Sequence, residues 1–341
     1  MQPTAVMAPY IFDILEQPRC LRNLDQQATL ETARRLASRL TRSDRIVLTG
    51  MGASLAALRP LWLDLIERGL SAWLIETGEL LAGGWSLLTN TAVVIAASQS
   101  GNSAEIAVLA ERVCQLGAGL VAITNNLDSA LGRRSEITFN IAAGLEATVS
   151  TKTYVNTLMV ATLISYTISQ RAADGLIERT ADSLDSYLEH WRDHVGAIDA
   201  ALGLPQRLFL VGRGASLASV ECGALIIKEA AKWPVEGQSA QQFRHGPLEL
   251  ADDRLTVCVL AGAAGPGQKR NRQLFDDLRS YGARAFWLEQ SDATVPMPTV
   301  VDGARQIAEI IPFQLMSVAI ANQTGIEPGR FRHLGKVTTV E

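Results

Sequence analysis

The chain has 341 residues, 48% of them hydrophobic and 19% charged, which is ample apolar material for two cores of ordinary size and rules out a disordered chain. Its 31 basic residues stand against 35 acidic ones, a net charge of −4 with no long run of one sign, which excludes a nucleic-acid footprint. The four cysteines, Cys20, Cys114, Cys222 and Cys258, share no short spacing, so neither a zinc site nor a disulfide framework is expected.

The first twenty residues lack a basic segment followed by an apolar run and a cleavage site. Residues 155–169 are apolar, but too short and too rich in Asn, Thr and Ser to span a bilayer. The expectation is a cytoplasmic protein with no membrane segment, and with 155–169 as a buried helix.

In chain order, short apolar runs at 45–49, 72–76, 91–97, 119–124 and 137–143 alternate with helical patterns. This predicts an α/β fold of βαβ units around a mostly parallel sheet buried on both faces. Residues 177–202 are amphipathic and polar, and read as one connecting helix. The pattern then restarts, with strands expected at 208–211, 255–261, 285–289 and near 299–301. A first lobe over 1–175, a linker over 176–204 and a second lobe over 205–341 follow. The restart repeats actual sequence, since RIVLTGMGASLAA at 45–57 returns as RLFLVGRGASLAS at 207–219. Each copy reads as a strand, a glycine turn and a helix, so a duplicated lobe is expected.

Three hydroxyl-bearing turns fall at expected strand ends, where open α/β sheets bind ligands. The densest is SQSGNS at 98–103, whose Ser98, Gln99, Ser100 and Ser103 precede a helix beginning at Ala104. Side-chain donors, unpaired backbone N–H groups and the positive end of a helix dipole together suit a phosphate. The others carry Ser54, in GMGAS, and Ser150, in VSTKT.

In the second half, Glu229 closes a mostly apolar helical stretch and His245 precedes Gly-Pro. A partly desolvated glutamate suits a general base, although a surface glutamate and a capping histidine fit the same residues. His190 and His194 lie four apart with no third ligand in sight, so no metal is expected. Neither glycine turn has GxGxxG spacing, and GxxxxGK[ST] and GxSxG are absent, which argues against nucleotide cofactors and a serine nucleophile elbow.

In order, EQP at 16–18, GMGAS at 50–54, SQSGNS at 98–103, STK at 150–152, GALIIKE at 223–229, RHGPL at 244–248 and the closing GKVTTVE resemble the sugar isomerase (SIS) domain family, in particular the isomerase half of glucosamine-6-phosphate synthase. The resemblance covers nearly the whole chain. It implies two tandem SIS lobes, each a flavodoxin-like parallel five-stranded sheet flanked by helices, working without a cofactor. It also implies that Ser98, Gln99, Ser100 and Ser103 hold a sugar phosphate while Ser54 and Ser150 contact the sugar. Glu229 then shuttles a proton between C1 and C2. His245 opens the sugar ring and is supplied across a homodimer interface, and Lys336 can form a Schiff base with a ketose carbonyl.

Two departures are visible. The isomerase-like pattern starts almost at Met1, so no glutaminase domain is expected. Cys222 and Ile226 replace a glutamate and a lysine of the synthase beside the base. The expected activity is aldose–ketose isomerisation of an amino sugar phosphate, with deamination of glucosamine 6-phosphate as one form of it. A fructosamine-6-phosphate deglycase and a phosphosugar-binding regulator without turnover are the alternatives.

Overall fold

The computed structural model describes residues 7–290, 294–333 and 335. Strands β1 (Ile46–Gly50), β2 (Ala72–Glu76), β3 (Val93–Ala97), β4 (Gly119–Thr124) and β5 (Ile137–Asn140) form a parallel sheet in the order β2-β1-β3-β4-β5. Every residue of β1, β3 and β4 is buried, because these central strands are covered on both faces and their runs are apolar but for Thr49 and Thr124 near the strand ends. The order reverses between β1 and β3, which opens a crevice beyond their carboxyl ends.

A second parallel sheet holds β6 (Arg207–Gly212), β7 (Glu236–Ser239), β8 (Leu255–Leu260) and β9 (Arg284–Leu288) in the order β7-β6-β8-β9. Its reversal lies between β6 and β8. The expectation of five strands here is corrected, since the described residues give four. Residues 299–301 run as irregular chain, with the Thr299 carbonyl accepting from Ser183 Oγ at 2.6 Å. In compensation, β7 was not expected, because its sequence EGQS has none of the apolar content of a central strand. The connecting helix over 177–202 is two helices, Leu176–Leu188 and Trp191–Leu202, broken at Glu189 and His190. Tyr187 and His194 stack across that break with ring centroids 4.0 Å apart.

The chain divides into two compact units, neither continuous in sequence. One comprises Arg19–Gly144 and Thr153–Ala181 and contains the first sheet. The other gathers the described residues up to Pro18, Leu145–Lys152, and those from Asp182 onward around the second sheet.

Buried polar pairs fix the early segment of this second unit. The Tyr10 hydroxyl meets Ser317 Oγ at 2.9 Å, and Gln17 and Gln314 exchange amide hydrogen bonds of 2.8 and 3.0 Å. Both partners, Ser317 and Gln314, lie on the helix Arg305–Thr324, which also packs against the helix Leu217–Ala231. A Cβ on Gly223 would lie 2.5 Å from the Phe313 ring, so the glycine of GALIIKE is a packing requirement. Among the described residues, no helix is long and apolar enough to cross a membrane.

Candidate functional site

In the first unit, the SQSGNS turn leaves the end of β3 and runs into the helix Ala104–Gln115. The hydroxyl oxygens of Ser98 and Ser100 accept from the N–H groups of Gly101 and Asn102, each at 3.2 Å. Those bonds fix the two oxygens and leave each O–H as a donor for an incoming oxyanion. Ser103 is the helix N-cap, with extended backbone (φ −62, ψ 154), yet its hydroxyl makes no capping bond. The first-turn N–H groups, which have no partner within the helix, thus receive no cap from Ser103. The loop after β4 braces the turn, through Asn125 N–H to the Gln99 carbonyl at 3.1 Å and Ala130 N–H to Asn102 Oδ1 at 2.8 Å. Gly101 adopts φ +62, and a Cβ there would stand 2.1 Å from Ser129 Oγ.

The GMGAS turn follows β1 on the other side of the reversal. A Cβ on Gly50 would lie 2.9 Å from the Ala97 carbonyl, which brings this turn against the end of β3. Gly52 takes φ +51 and caps the helix Ala53–Glu67, placing Ser54 in its first turn. Residues 98–103 carry no charge, so this stretch offers an anion dipoles and hydroxyls, with the acidic Glu105 beside them in the first turn of the helix.

The second unit holds the remaining candidates. Glu229 is half-buried near the C-terminus of the helix Leu217–Ala231. Lys232 then ends that helix in a left-handed conformation (φ +56), its Nζ donating to the Glu229 carbonyl. Cys222, buried one side of this helix, has its thiol pushed well up by burial first and then by Glu229, Glu146 and Glu221. His245 is exposed after the short helix Ala240–Phe243, and Gly246 at φ +149 makes the corner before Pro247. Gln241 Nε2 lies 3.4 Å from His245 Nε2, and Arg213 Nη1 donates to Gln241 Oε1 at 2.7 Å.

Ser150 belongs to this unit as well, half-buried in the loop before Lys152. Ser54, Ser98, Gln99, Ser100 and Ser103 thus share one unit, and Ser150, Glu229 and His245 share the other. Lys336 lies outside the described residues.

Residues 39–165 match the family model of the SIS domain. This stretch is a SIS domain. The chain is 30% identical over 347 residues to the isomerizing glutamine–fructose-6-phosphate aminotransferase of Pyrococcus horikoshii, covering 96% of this chain and 57% of that relative. It is homologous to the isomerase part of such enzymes, and spans little more than half of the relative's length. Among solved structures, the tagatose-6-phosphate ketose/aldose isomerase of Escherichia coli aligns with a TM-score of 0.79 at 20% identity, over 96% of both chains. The glucosamine-6-phosphate deaminase of Thermotoga maritima aligns with a TM-score of 0.78 at 18% identity, over 98% of this chain and all of that one. At such identities the likeness is one of fold.

With the SIS domain placed, two groups come into view that spacing did not single out. The first explains why EQP and STK occur together. Lys152, 1% exposed, donates to Asp13 Oδ1 at 2.8 Å, Glu16 Oε2 at 2.9 Å and the Leu145 carbonyl at 2.6 Å, which uses all three ammonium protons. Burial alone would push this lysine down, but the hydrogen bonds to Asp13 and Glu16 outweigh it and hold it above its ordinary value. Asp13 Oδ2 also accepts from Ala147 N–H at 2.9 Å, and Glu146 Oε1 accepts from Thr151 N–H at 2.8 Å and Thr151 Oγ1 at 3.1 Å. The loop that carries Ser150 is therefore held by two buried carboxylates.

The second group is Glu309, 1% exposed, whose Oε1 accepts from Ser216 Oγ at 2.9 Å and lies 3.9 Å from Arg305. Burial pushes its carboxyl up to about 7, against the pull of Ser216 and Arg305. Ser216 is the serine of the repeated GRGAS turn, so the helix-borne glutamate occupies the hydroxyl whose counterpart is Ser54.

Proposed function

We propose that this protein is a phosphosugar aldose–ketose isomerase acting on an amino sugar phosphate. The observation that carries the reading is the SQSGNS turn, an uncharged cluster of hydroxyl and N–H donors at a helix N-terminus and a sheet reversal. Such a turn suits a phosphate dianion, and phosphate binding remote from the reacting carbons supplies energy for positioning them. Homology to an isomerizing fructose-6-phosphate aminotransferase supports the sugar and the carbonyl shift.

In this reading Ser98, Gln99, Ser100 and Ser103 hold the phosphate, while Ser54 and Ser150 contact the sugar hydroxyls. His245 protonates the ring oxygen and opens the ring. The Glu229 carboxylate takes the proton from C2 of the open aldose and returns it to C1. With glucosamine 6-phosphate the product of that transfer is an imine at C2, and water then releases ammonia to leave fructose 6-phosphate. Lys336 serves the ketose carbonyl. His245 works across a homodimer, and its exposure in the single chain supports that role.

The test is incubation with glucosamine 6-phosphate, with fructose 6-phosphate plus ammonia, and with fructosamine 6-phosphates, following ammonia, free amino acid and hexose phosphate. Turnover of the first two is expected. Amino acid release from the third alone would replace the isomerase by a deglycase, and binding without turnover would leave a regulator. Glu229→Gln is expected to lower kcat by roughly 10²–10⁴ while sugar phosphate still binds, as loss of a general base does. Light scattering should give a dimer.

A further inference from the structure

The second sheet has its own crevice, and it is neither empty of chemistry nor a copy of the first. At the reversal between β6 and β8 lies a cavity of about 320 Å³, walled by the GRGAS turn after β6 and the glycine-rich loop after β8. That is the position at which doubly wound sheets take ligands, and the volume suits a small metabolite.

Its chemistry is cationic. Arg213 and Arg305 both line it, together with Ser216, Gln268 and Asn271. Arg213 Nε donates to Asn271 Oδ1 at 2.8 Å and Nη1 to Gln241 Oε1 at 2.7 Å, so these anchors are neutral amides that fix the guanidinium without cancelling its charge. Asn271, 1% exposed, is itself locked by donating to the carbonyls of Leu260 and Ala261 at 3.0 and 3.3 Å. Burial first, and then the neighbouring Arg270 and Arg244, hold the Arg213 guanidinium below its ordinary value, as crowded cations require.

Beneath the turn, Glu309 faces Ser216 with one oxygen, and its buried Oε2 has no hydrogen-bond partner among the described residues. Gly262 (φ +74) and Gly265 (φ +139) curl the loop into the fifteen-residue helix Pro266–Ser280. Gly267 and Gln268, both at the cavity, stand in its first turn, where N–H groups have no helical partner.

We infer that this cavity is a second anion site, which binds a phosphate monoester or inorganic phosphate through Arg213, Arg305 and the first-turn N–H groups of the helix Pro266–Ser280. It is independent of the serine turn of the first unit, and it selects by charge where that turn selects by hydroxyl donors. Paired guanidinium groups favour a dianion over a neutral sugar.

The full chain is titrated by calorimetry with inorganic phosphate in one arm and fructose 6-phosphate in the other, and the equivalents bound per chain are counted. Two equivalents are expected in at least one arm. Filling of the second site by inorganic phosphate alone identifies the free ion as its ligand, and filling by fructose 6-phosphate alone identifies the ester. Arg305→Gln and Arg213→Gln, each checked by near-UV circular dichroism, should weaken one equivalent at least tenfold, and Ser100→Ala should weaken the other. A single equivalent that is sensitive to Ser100→Ala overturns the inference, as do arginine variants that keep both equivalents. A single equivalent sensitive to the arginine variants alone upholds it and instead removes the serine turn from the proposed function. If neither arginine variant folds, the wild-type count with the Ser100→Ala control still decides.

Discussion

The two repeated turns share a backbone and differ in electrostatics. Gly50 and Gly212 close each strand tightly, and Gly52 and Gly214 both adopt positive φ. Yet the first unit sets the uncharged SQSGNS turn beside its copy, with Gly50 against the Ala97 carbonyl. The second sets arginines around its own, with a glutamate buried behind the serine. A duplicated scaffold therefore fixes where a ligand can sit, and the side chains at the strand ends decide what kind of ligand. A neutral turn is insensitive to pH over the range where carboxylates titrate, while a turn backed by a buried carboxyl is not.

The largest expected effect strikes the ionic unit. Lys152→Met strands the buried Asp13 and the partly buried Glu16 without their cation, and urea unfolding should show a loss of about 3–5 kcal/mol. Next comes Glu309. A carboxyl raised from 4.5 to about 7 in the folded state gives stability that is full below pH 4.5 and is lost as pH rises through about 7. Glu309→Gln keeps the bond to Ser216 and removes the titration. It should match the wild type below pH 4.5 and exceed it by about 3 kcal/mol above pH 7, and parallel curves across that range would show that the contrast between the turns is not electrostatic.

Gly101→Ala in the neutral turn combines a left-handed backbone with a clash against Ser129, and should cost about 2–4 kcal/mol with weakened phosphate binding. Gly214→Ala is the smallest. At φ +58 with open space around the added Cβ, it should cost only about 1 kcal/mol, read from the shift in melting temperature.

The central strands of the first sheet, β1, β3 and β4, were legible because burial on both faces leaves a nearly continuous apolar run, and β4 falls at its expected bounds. The same rule hid β7, an edge strand of polar residues whose identity comes from pairing with β6 rather than from its own composition. It also overread residues 299–301, where apolar and β-branched residues have no neighbouring strand to join. The break at Glu189 and His190 was hidden because both flanking helices keep an amphipathic period.

The serine turn announced itself through five polar residues in six positions. Lys152 did not, because its partners stand 139 and 136 residues away in sequence, and nothing local distinguishes a buried lysine from a capping one. Glu309 was equally silent, 93 residues from Ser216 and set in an apolar helix.

The stitching of the early residues onto the helix Arg305–Thr324 has a consequence for synthesis. The first sheet is complete in one continuous stretch, and can close as it leaves the ribosome. Tyr10 and Gln17 emerge before it, yet their partners Ser317 and Gln314 follow 307 and 297 residues later. At ordinary rates of translation that is a wait of about 15–60 s. Throughout it, Tyr10 and Ile14, fully buried in the finished fold, have no core to enter. The segment that carries Tyr10 and Gln17 is thus made before the first sheet and docked only after the second, with its apolar side chains open to other partners, chaperones among them, in between.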